Sequence, residues 1–258
     1  MRLSACLLTA ALLANSAFAQ TAPASEKPVI VLVHGAFAES SSWDPVIGRL
    51  KHDGYDVIAA ANPLRGVASD GAAISRIVDS IKGPVVLVGH SYGGPVITEA
   101  ANGKSNVKAL VFVAGFAPEV GESSLTLSSR FPGSTLGENL RAIALPDGDE
   151  DLYIRPDKFH AQFAADVPPE KALIMAATQR PITMSALGEP SRTATWKRLS
   201  SYVIYGTADR NIPAAVMKYM ADRAHALKTI EVKDASHAVM VSHPREVAEL
   251  IEDAATAR

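Results

Sequence analysis

The chain has 258 residues and a formal net charge of −2, with 48% hydrophobic and 20% charged residues. This length accommodates one large α/β domain or two small ones, and the composition is ordinary for a globular protein. Because the charge is nearly balanced and no long basic run occurs, nucleic acid and acidic membrane surfaces are not expected as partners.

The N-terminal segment has the order of a secretory signal peptide. Arg2 precedes an apolar run, and a small-residue site, Ala17-Phe18-Ala19, precedes Gln20. The apolar run is too short to span a bilayer comfortably and has no polar face, so a buried first helix is the weaker interpretation. We therefore expect cleavage after Ala19 and export of the protein to the periplasm or the medium.

Removal of residues 1–19 would also remove Cys6, which is the single cysteine of the sequence. The exported protein, residues 20–258, would then have no disulfide and no thiol for nucleophilic or metal chemistry. No membrane span is expected in it.

Strands and helices alternate along most of the chain. A continuous β-branched run at 28–33 predicts a strand buried on both faces. The patterns that follow predict helices over 44–52 and 69–81, strands over 55–60 and 84–88, a helix after Gly93, and a strand over 107–113. The same rhythm resumes with strands over 202–205 and 229–232 and helices over 214–226 and 244–254. Such alternation predicts an α/β fold with a mostly parallel, doubly wound sheet.

Between about residues 117 and 195 the rhythm changes. Polar and proline-containing turns, such as that at 146–151, separate short helical patterns such as 171–178, and no strongly β-branched run occurs. We interpret this segment as a helical cap inserted into a single domain, and call it the cap below.

Ser91 is the candidate nucleophile because it lies at the centre of Gly-x-Ser-x-Gly, directly after an apolar strand. In a tight turn from strand to helix, side chains two residues before or after the serine would collide with neighbouring backbone. The turn would raise the hydroxyl above the sheet, at a helix N-terminus where negative charge is favoured. An ordinary helix start capped by Ser91 is the alternative, and the preceding apolar strand disfavours it.

A serine hydroxyl needs a general base, and the base needs an orienting carboxylate. In the expected fold the chain order is serine, acid, histidine. Asp209 and His237 each follow a predicted strand end, at the edge where an open α/β sheet builds its site. Glu119, which follows the strand at 107–113, is the competing carboxylate, and strand-end placement favours Asp209.

The other histidines are expected to have structural or surface roles. His34 would brace its loop, His90 would point away from Ser91, and His243 would open the last helix; His52, His160 and His225 would lie on surface or cap helices.

Two backbone N–H groups are expected to form an oxyanion hole. One belongs to Tyr92, the residue after the nucleophile, and the other to the loop after the first strand. In that loop Gly35 lets the backbone pass closely, Ala36 is the expected donor, and Phe37 is the alternative.

The stretches at 31–37, 89–94, 206–209 and 236–237, together with Trp43, resemble the α/β-hydrolase superfamily over essentially all of residues 20–258. They are most similar to the small capped esterases that include plant methyl-ester hydrolases and hydroxynitrile lyases. The resemblance implies that Ser91 is acylated, that His237 acts as base and then as acid, and that Asp209 holds the imidazole. It also implies oxyanion binding by Ala36 and Tyr92, and no metal or organic cofactor.

The neighbours of these residues distinguish branches of the superfamily. Epoxide hydrolases and haloalkane dehalogenases have an aspartate at the position of Ser91. Related hydroxynitrile lyases have a threonine at the position of Gly35 and a lysine where this chain has Ala238. The resemblance therefore favours ester hydrolysis, with lactone hydrolysis nearly equal and a non-catalytic ligand-binding member as the alternative from another class.

A substrate pocket is expected between Ser91 and the cap. Its predicted lining residues, besides Tyr92, are Phe37, Phe116, Met184 and Trp196. For these four residues ordinary packing between cap and core is the alternative. Because no arginine cluster suggests an anionic ligand, we expect a small or medium uncharged ester or lactone as the partner.

Overall fold

The computed structural model describes residues 27–257. The predicted signal peptide and its cleavage site lie outside these residues. Within the described range, no helix combines the length and the apolar character needed to cross a membrane.

The elements before the cap follow the predicted alternation. They are β1 (Val29–Val33), α1 (Asp44–His52), β2 (Val57–Ala60), α2 (Val67–Asp79), β3 (Val85–His90), α3 (Gly93–Ala100) and β4 (Val107–Val113). The cap contains α4 (Ser124–Ser128), β5 (Leu140–Ala144), β6 (Glu150–Ile154), α5 (Pro156–Phe163), α6 (Pro169–Thr178), β7 (Ile182–Thr183) and α7 (Met184–Gly188). The elements after the cap are β8 (Ser200–Gly206), α8 (Ala214–Arg223), β9 (Lys228–Val232), α9 (Val239–Ser242) and α10 (Pro244–Thr256).

The central sheet of the described chain has six parallel strands in the order β2-β1-β3-β4-β8-β9. Alternate residues of its strands pack on opposite faces, as the two-residue period of a strand requires. Val31 and Leu87 pack with the apolar sides of α2, α3 and α8, whereas Leu32 and Val88 pack with α1 and α10. The predicted doubly wound α/β fold is confirmed.

The cap is not purely helical, which corrects the sequence-based expectation. Besides its helices it has a three-stranded antiparallel sheet in the order β5-β6-β7. The turn between β5 and β6 is closed by Leu145 N–H, which donates to Asp149 O at 2.8 Å, and Gly148 in this turn has φ of 89°. The Asp147-Gly148 pair is a hairpin signal that the strands' weak β-branched content obscured.

Parallel strands place their carboxyl ends at one edge of the sheet. The residues after β1, β3, β4, β8 and β9 therefore meet there, and the cap packs over this edge through the apolar core that both share. These segments carry each of the predicted catalytic groups.

Candidate active site

Ser91 stands on a strained turn between β3 and α3. Its φ is 53°, a left-handed conformation that costs a non-glycine residue energy. A Cβ at Gly93 would lie 2.5 Å from Val33 O, so only glycine permits β1 to pass this closely. The Ser91 N–H donates to Ala114 O at 3.1 Å, which fixes the turn to the end of β4. The serine is thus held at the top of the sheet by backbone contacts.

His237 and Asp209 are in contact. Both side chains are buried, and His237 Nδ1 lies 2.6 Å from Asp209 Oδ2. The other carboxylate oxygen, Asp209 Oδ1, accepts the backbone N–H groups of Asn211 at 2.7 Å and Ile212 at 2.9 Å. Since hydrogen bonds to both oxygens favour the ionised carboxylate, Asp209 is arranged to fix the ring and to hold its proton on Nδ1.

The opposite ring nitrogen of His237, Nε2, is buried and has no hydrogen-bond partner within residues 27–257. The residue before Ser91 lies against this ring: the His90 and His237 ring centroids are 4.7 Å apart, and His90 Nε2 donates to His237 O at 3.1 Å. A ring nitrogen that carries no proton and no partner can accept a proton. His237 therefore presents a free base beside the strained turn of Ser91.

Glu119 does not compete with Asp209 for His237. Its carboxylate forms an ion pair with Lys197 and is partly exposed, and this hydrogen bond lowers the pKa of Glu119. Of the two carboxylates considered from the sequence, Asp209 is the one placed on the imidazole.

Gly35 brings the loop after β1 against the Ser91 turn. A Cβ at this position would lie 2.5 Å from Ser91 Cβ and 3.1 Å from Tyr92 N. The N–H groups of Ala36 and Tyr92 donate no hydrogen bond to any described residue. The Phe37 N–H, by contrast, donates to Arg180 O at 3.0 Å. Ala36 and Tyr92 are thus the pair of N–H groups left free beside Ser91, and Phe37 is already engaged.

His34 braces the same loop, as expected. Its Nε2 accepts the Asn62 N–H at 3.0 Å, so its proton is on Nδ1, which donates to Gly35 O at 2.9 Å. Burial lowers the pKa of His34 to about 4. The ring is therefore neutral near pH 7 and acts as a fixed strut.

The remaining histidines are also accounted for. His90 is buried against Trp43 and Phe163, and burial holds its pKa well below its usual range. His243 caps α10, and His160 bonds Val167 O at 2.9 Å within the cap. In the described part of the chain, no group of three or more His, Cys, Asp or Glu side chains is arranged to hold a metal ion.

Tyr92 is anchored through its side chain as well. Its buried hydroxyl donates to Asp70 Oδ2 at 3.0 Å, and Asp70 also accepts the N–H groups of Arg65 and Gly66. Burial raises the pKa of Asp70, an effect that these hydrogen bonds oppose. Burial and the neighbouring carboxylate raise the pKa of Tyr92. The residue that offers the second free N–H is therefore fixed at both ends.

A cavity of about 380 Å³ opens beside Ser91 and extends under the cap. It holds most of the residues predicted to bind substrate: Ala36, Phe37, Tyr92, Phe116 and Met184 are in its wall. The wall is mostly apolar and is completed by the cap residues Leu125, Leu136, Leu140, Leu152 and Leu187. Glu150 is the one charged side chain among its described lining residues.

The prediction for Trp196 was wrong. Its indole N–H donates to Pro118 O at 2.7 Å, and the ring faces a different surface groove beside Glu119, Lys197 and Arg223. The 3₁₀ turn at Thr195–Lys197 directs the side chain to this groove. Trp196 joins the base of the cap to the core and does not line the cavity.

Sequence reasoning also missed two polar residues in the cavity wall. Ser124, in α4, has a buried hydroxyl without a hydrogen-bond partner among the residues that the structure describes. Asn211, just after Asp209, contributes its side chain to the wall. Neither belongs to a motif, and a position two residues after the acid was the single available signal for Asn211.

Comparison with known proteins identifies the family. Residues 30–250 match the sequence profile of the Alpha/beta hydrolase family. The chain belongs to the alpha/beta hydrolase family. Among similar sequences, salicylic acid-binding protein 2 of Nicotiana tabacum is 28% identical, over 84% of this chain and 93% of its own length. Methylesterase 9 of Arabidopsis thaliana is 25% identical, over 84% of this α/β hydrolase and 94% of its own length.

Solved structures show the same fold. The crystal structure of polyneuridine aldehyde esterase superimposes with a TM-score of 0.77 at 20% identity, covering 88% of this α/β hydrolase and 99% of that chain. The relatives thus include esterases, and the likeness to the solved structure extends through the cap.

Proposed function

We propose that this α/β hydrolase cleaves small to medium uncharged carboxylic esters through an acyl-enzyme intermediate. The contact of 2.6 Å between His237 Nδ1 and Asp209 Oδ2 is the observation that carries the proposal, because it leaves Nε2 free beside Ser91. A ligand-binding protein would have no need of this oriented base.

In the first half-reaction His237 Nε2 takes the proton of Ser91 Oγ as the oxygen attacks the ester carbonyl. The negative charge that develops on the carbonyl oxygen is held by the N–H groups of Ala36 and Tyr92. His237 then gives its proton to the departing alcohol, and an ester bond to Ser91 remains. In the second half-reaction water, deprotonated by His237, attacks this ester and releases the acid.

The cavity supports an uncharged substrate. Its described lining residues include Glu150 and no lysine or arginine, so an anionic group would be repelled and would find no counter-ion. The apolar wall of leucines, Phe37, Phe116 and Met184 suits an alkyl or aryl group. Methylesterases and polyneuridine aldehyde esterase among the similar proteins support ester chemistry. Lactones present the same carbonyl, and we expect some of them to be substrates too.

Hydrolysis of p-nitrophenyl butyrate by the wild type and by Ser91→Ala tests this function. We expect the variant to lose several orders of magnitude in kcat. Ser128→Ala is the matched control, because Ser128 lines the same cavity and its hydroxyl donates to Leu125 O.

A fluorophosphonate probe tests the covalent step separately. It is expected to modify the wild type on the peptide that contains Ser91 and to leave Ser91→Ala unlabelled. Equal hydrolysis by the two proteins, or labelling of another serine, would refute the proposed nucleophile.

A further inference from the structure

Gln162, in α5 of the cap, fixes the orientation of Asn211. The Gln162 side chain is buried, and its Nε2 donates to Arg210 O at 2.9 Å and to Asn211 Oδ1 at 2.7 Å. Its Oε1 accepts from Thr135 Oγ1 and Asn139 Nδ2, each at 2.8 Å. A backbone carbonyl can only accept, so Gln162 must point its amide nitrogen toward Arg210 O.

This constraint passes to Asn211. The second proton of Gln162 Nε2 requires an acceptor, so Asn211 turns Oδ1 toward Gln162 and Nδ2 away from it. Among residues 27–257, Asn211 Nδ2 has no hydrogen-bond partner, and it is absent from the fully buried unpaired atoms. Since Asn211 lines the cavity beside Ser91, this donor faces the cavity.

The amide is also rigidly held. The Asn211 N–H donates to Asp209 Oδ1 at 2.7 Å, and its carbonyl accepts from Ser134 Oγ at 2.9 Å. With Oδ1 bonded to Gln162, every polar atom of Asn211 except Nδ2 is engaged. The residue thus offers a preorganised donor in a mostly apolar wall, which is the arrangement that gives a binding site its specificity.

We propose that Asn211 is a specificity-determining residue that binds an acceptor oxygen of the substrate away from the scissile ester. This inference rests on the proposed ester hydrolysis. The preferred substrates are then uncharged esters with a second oxygen, as a ketone or an ether, in place of one methyl or methylene of a purely alkyl chain. The Nδ2 group of Asn211 donates to that oxygen while Ser91 attacks the ester carbonyl.

Pairs of esters with the same heavy-atom skeleton test the proposal. On the acyl side the pair is p-nitrophenyl levulinate and p-nitrophenyl isocaproate, in which a ketone oxygen replaces a methyl group. On the alcohol side it is methoxyethyl butyrate and butyl butyrate. For at least one pair, we expect the wild type to have a kcat/KM about five- to tenfold higher for the oxygen-containing ester, as one hydrogen bond provides.

Two variants remove the donor in different ways. Asn211→Leu deletes the amide, and the preference is expected to fall to about one. Asn211→Asp keeps an oxygen for Gln162, so the cap network is retained, but it presents a carboxylate oxygen to the substrate and should bring the preference below one. Because each ratio is measured within one protein, a general loss of folding or rate cancels. Ser128→Ala should keep the wild-type ratio, because its hydroxyl is bonded to Leu125 O.

Binding provides a readout that does not depend on turnover. Calorimetry of the same ester pairs is carried out with Ser91→Ala and with Ser91→Ala/Asn211→Leu. We expect tighter binding of an oxygen-containing ester to the first protein, and no difference within the pair for the second. Equal binding and equal kcat/KM within both pairs for the protein with Asn211 would overturn the inference, even if ester hydrolysis is established. Selective binding without hydrolysis would refute the proposed function and retain the role of Asn211.

Discussion

His237 and Asp209 come from loops after adjacent strands, β9 and β8, and their side chains meet at 2.6 Å in the interior. Two backbone N–H groups hold the other oxygen of Asp209, so the carboxylate reaches the imidazole in one fixed position. The acid and the base are thereby positioned before any substrate arrives.

Replacement of the acid should separate the two carboxylates. Asp209→Asn is expected to lower kcat for p-nitrophenyl butyrate by about 10⁴, because an amide favours the wrong tautomer of His237. Glu119→Gln should leave kcat nearly unchanged, since Glu119 pairs with Lys197 at the surface. The opposite ranking of the two variants would mean that the acid has been wrongly assigned.

Gly35→Ala should damage the site. The added Cβ would lie 2.5 Å from Ser91 Cβ and 2.7 Å from His90 O, so the loop after β1 must move away. We expect kcat/KM to fall about a hundredfold, as a displacement of about 1 Å produces, and unfolding to become easier by about 2 kcal/mol. Gly48→Ala, in α1, is the control because its Cβ would meet no atom within 4 Å. It should raise stability by up to about 1 kcal/mol, and equal effects of the two substitutions on rate would contradict the packing argument.

His34 should make the fold sensitive to acid. Its folded pKa of about 4 lies below its model value of 6.5, so the unfolded chain binds a proton at mildly acidic pH that the folded chain does not. Stability is unaffected by this group above about pH 6.5 and falls as the pH decreases from there toward 4. Between pH 7 and 5 the loss is about 2 kcal/mol.

Urea unfolding at pH 7 and pH 5 measures this effect. His34→Gln is expected to be less stable at pH 7 and to lose about 2 kcal/mol less than the wild type between the two pH values. His90 contributes equally to both proteins, so it cancels in the comparison. Parallel losses for the wild type and the variant would show that His34 is not the buried neutral group described above.

Ser124→Ala should stabilise the protein. The Ser124 hydroxyl is buried without a partner within the described residues, and removal of such a group recovers about 1 kcal/mol. Its neighbour Ser123 gives the contrast, because its Oγ caps α4 by accepting the Thr126 N–H at 3.1 Å. Ser123→Ala should cost about 1 kcal/mol. A lower melting temperature for Ser124→Ala would indicate a partner for its hydroxyl.

We also propose that the chain is exported, on the basis of its N-terminal sequence. N-terminal sequencing of protein secreted by an expressing bacterium, or recovered from its periplasm, should begin at Gln20. Recovery of the protein there with Met1 intact, or in the cytoplasm alone, would refute export and cleavage.

Chain order allowed much of this site to be predicted. Each predicted catalytic group directly follows a strand of a parallel sheet, and parallel topology alone brings such positions to one edge. Thus Ser91, Asp209 and His237 could be placed together from the sequence. Strand-end placement favoured Asp209 over Glu119, and the ion pair of Glu119 with Lys197 explains physically why it is not available.

The cap resisted prediction because its order depends on long-range contacts. Strand β5 pairs with β6 through residues such as Ala142 and Leu152, whose types do not distinguish strand from helix. Trp196 was placed in the cavity because it is aromatic and near the cap, yet its direction is set by a hydrogen bond to Pro118 O. The orientation of Asn211 depends on Gln162, which is 49 residues earlier. No local pattern contains these relationships.

The hydrogen bond from Phe37 N–H to Arg180 O connects the loop that bears Ala36 to the last part of the cap. Evolution of such a cap therefore cannot change substrate preference alone. Insertions or substitutions between α6 and β7 that shift Arg180 would also shift the group facing the developing negative charge, and selectivity and speed would change together. Variants selected for a new substrate at this segment should carry a rate penalty that compensating changes beside Gly35 can remove.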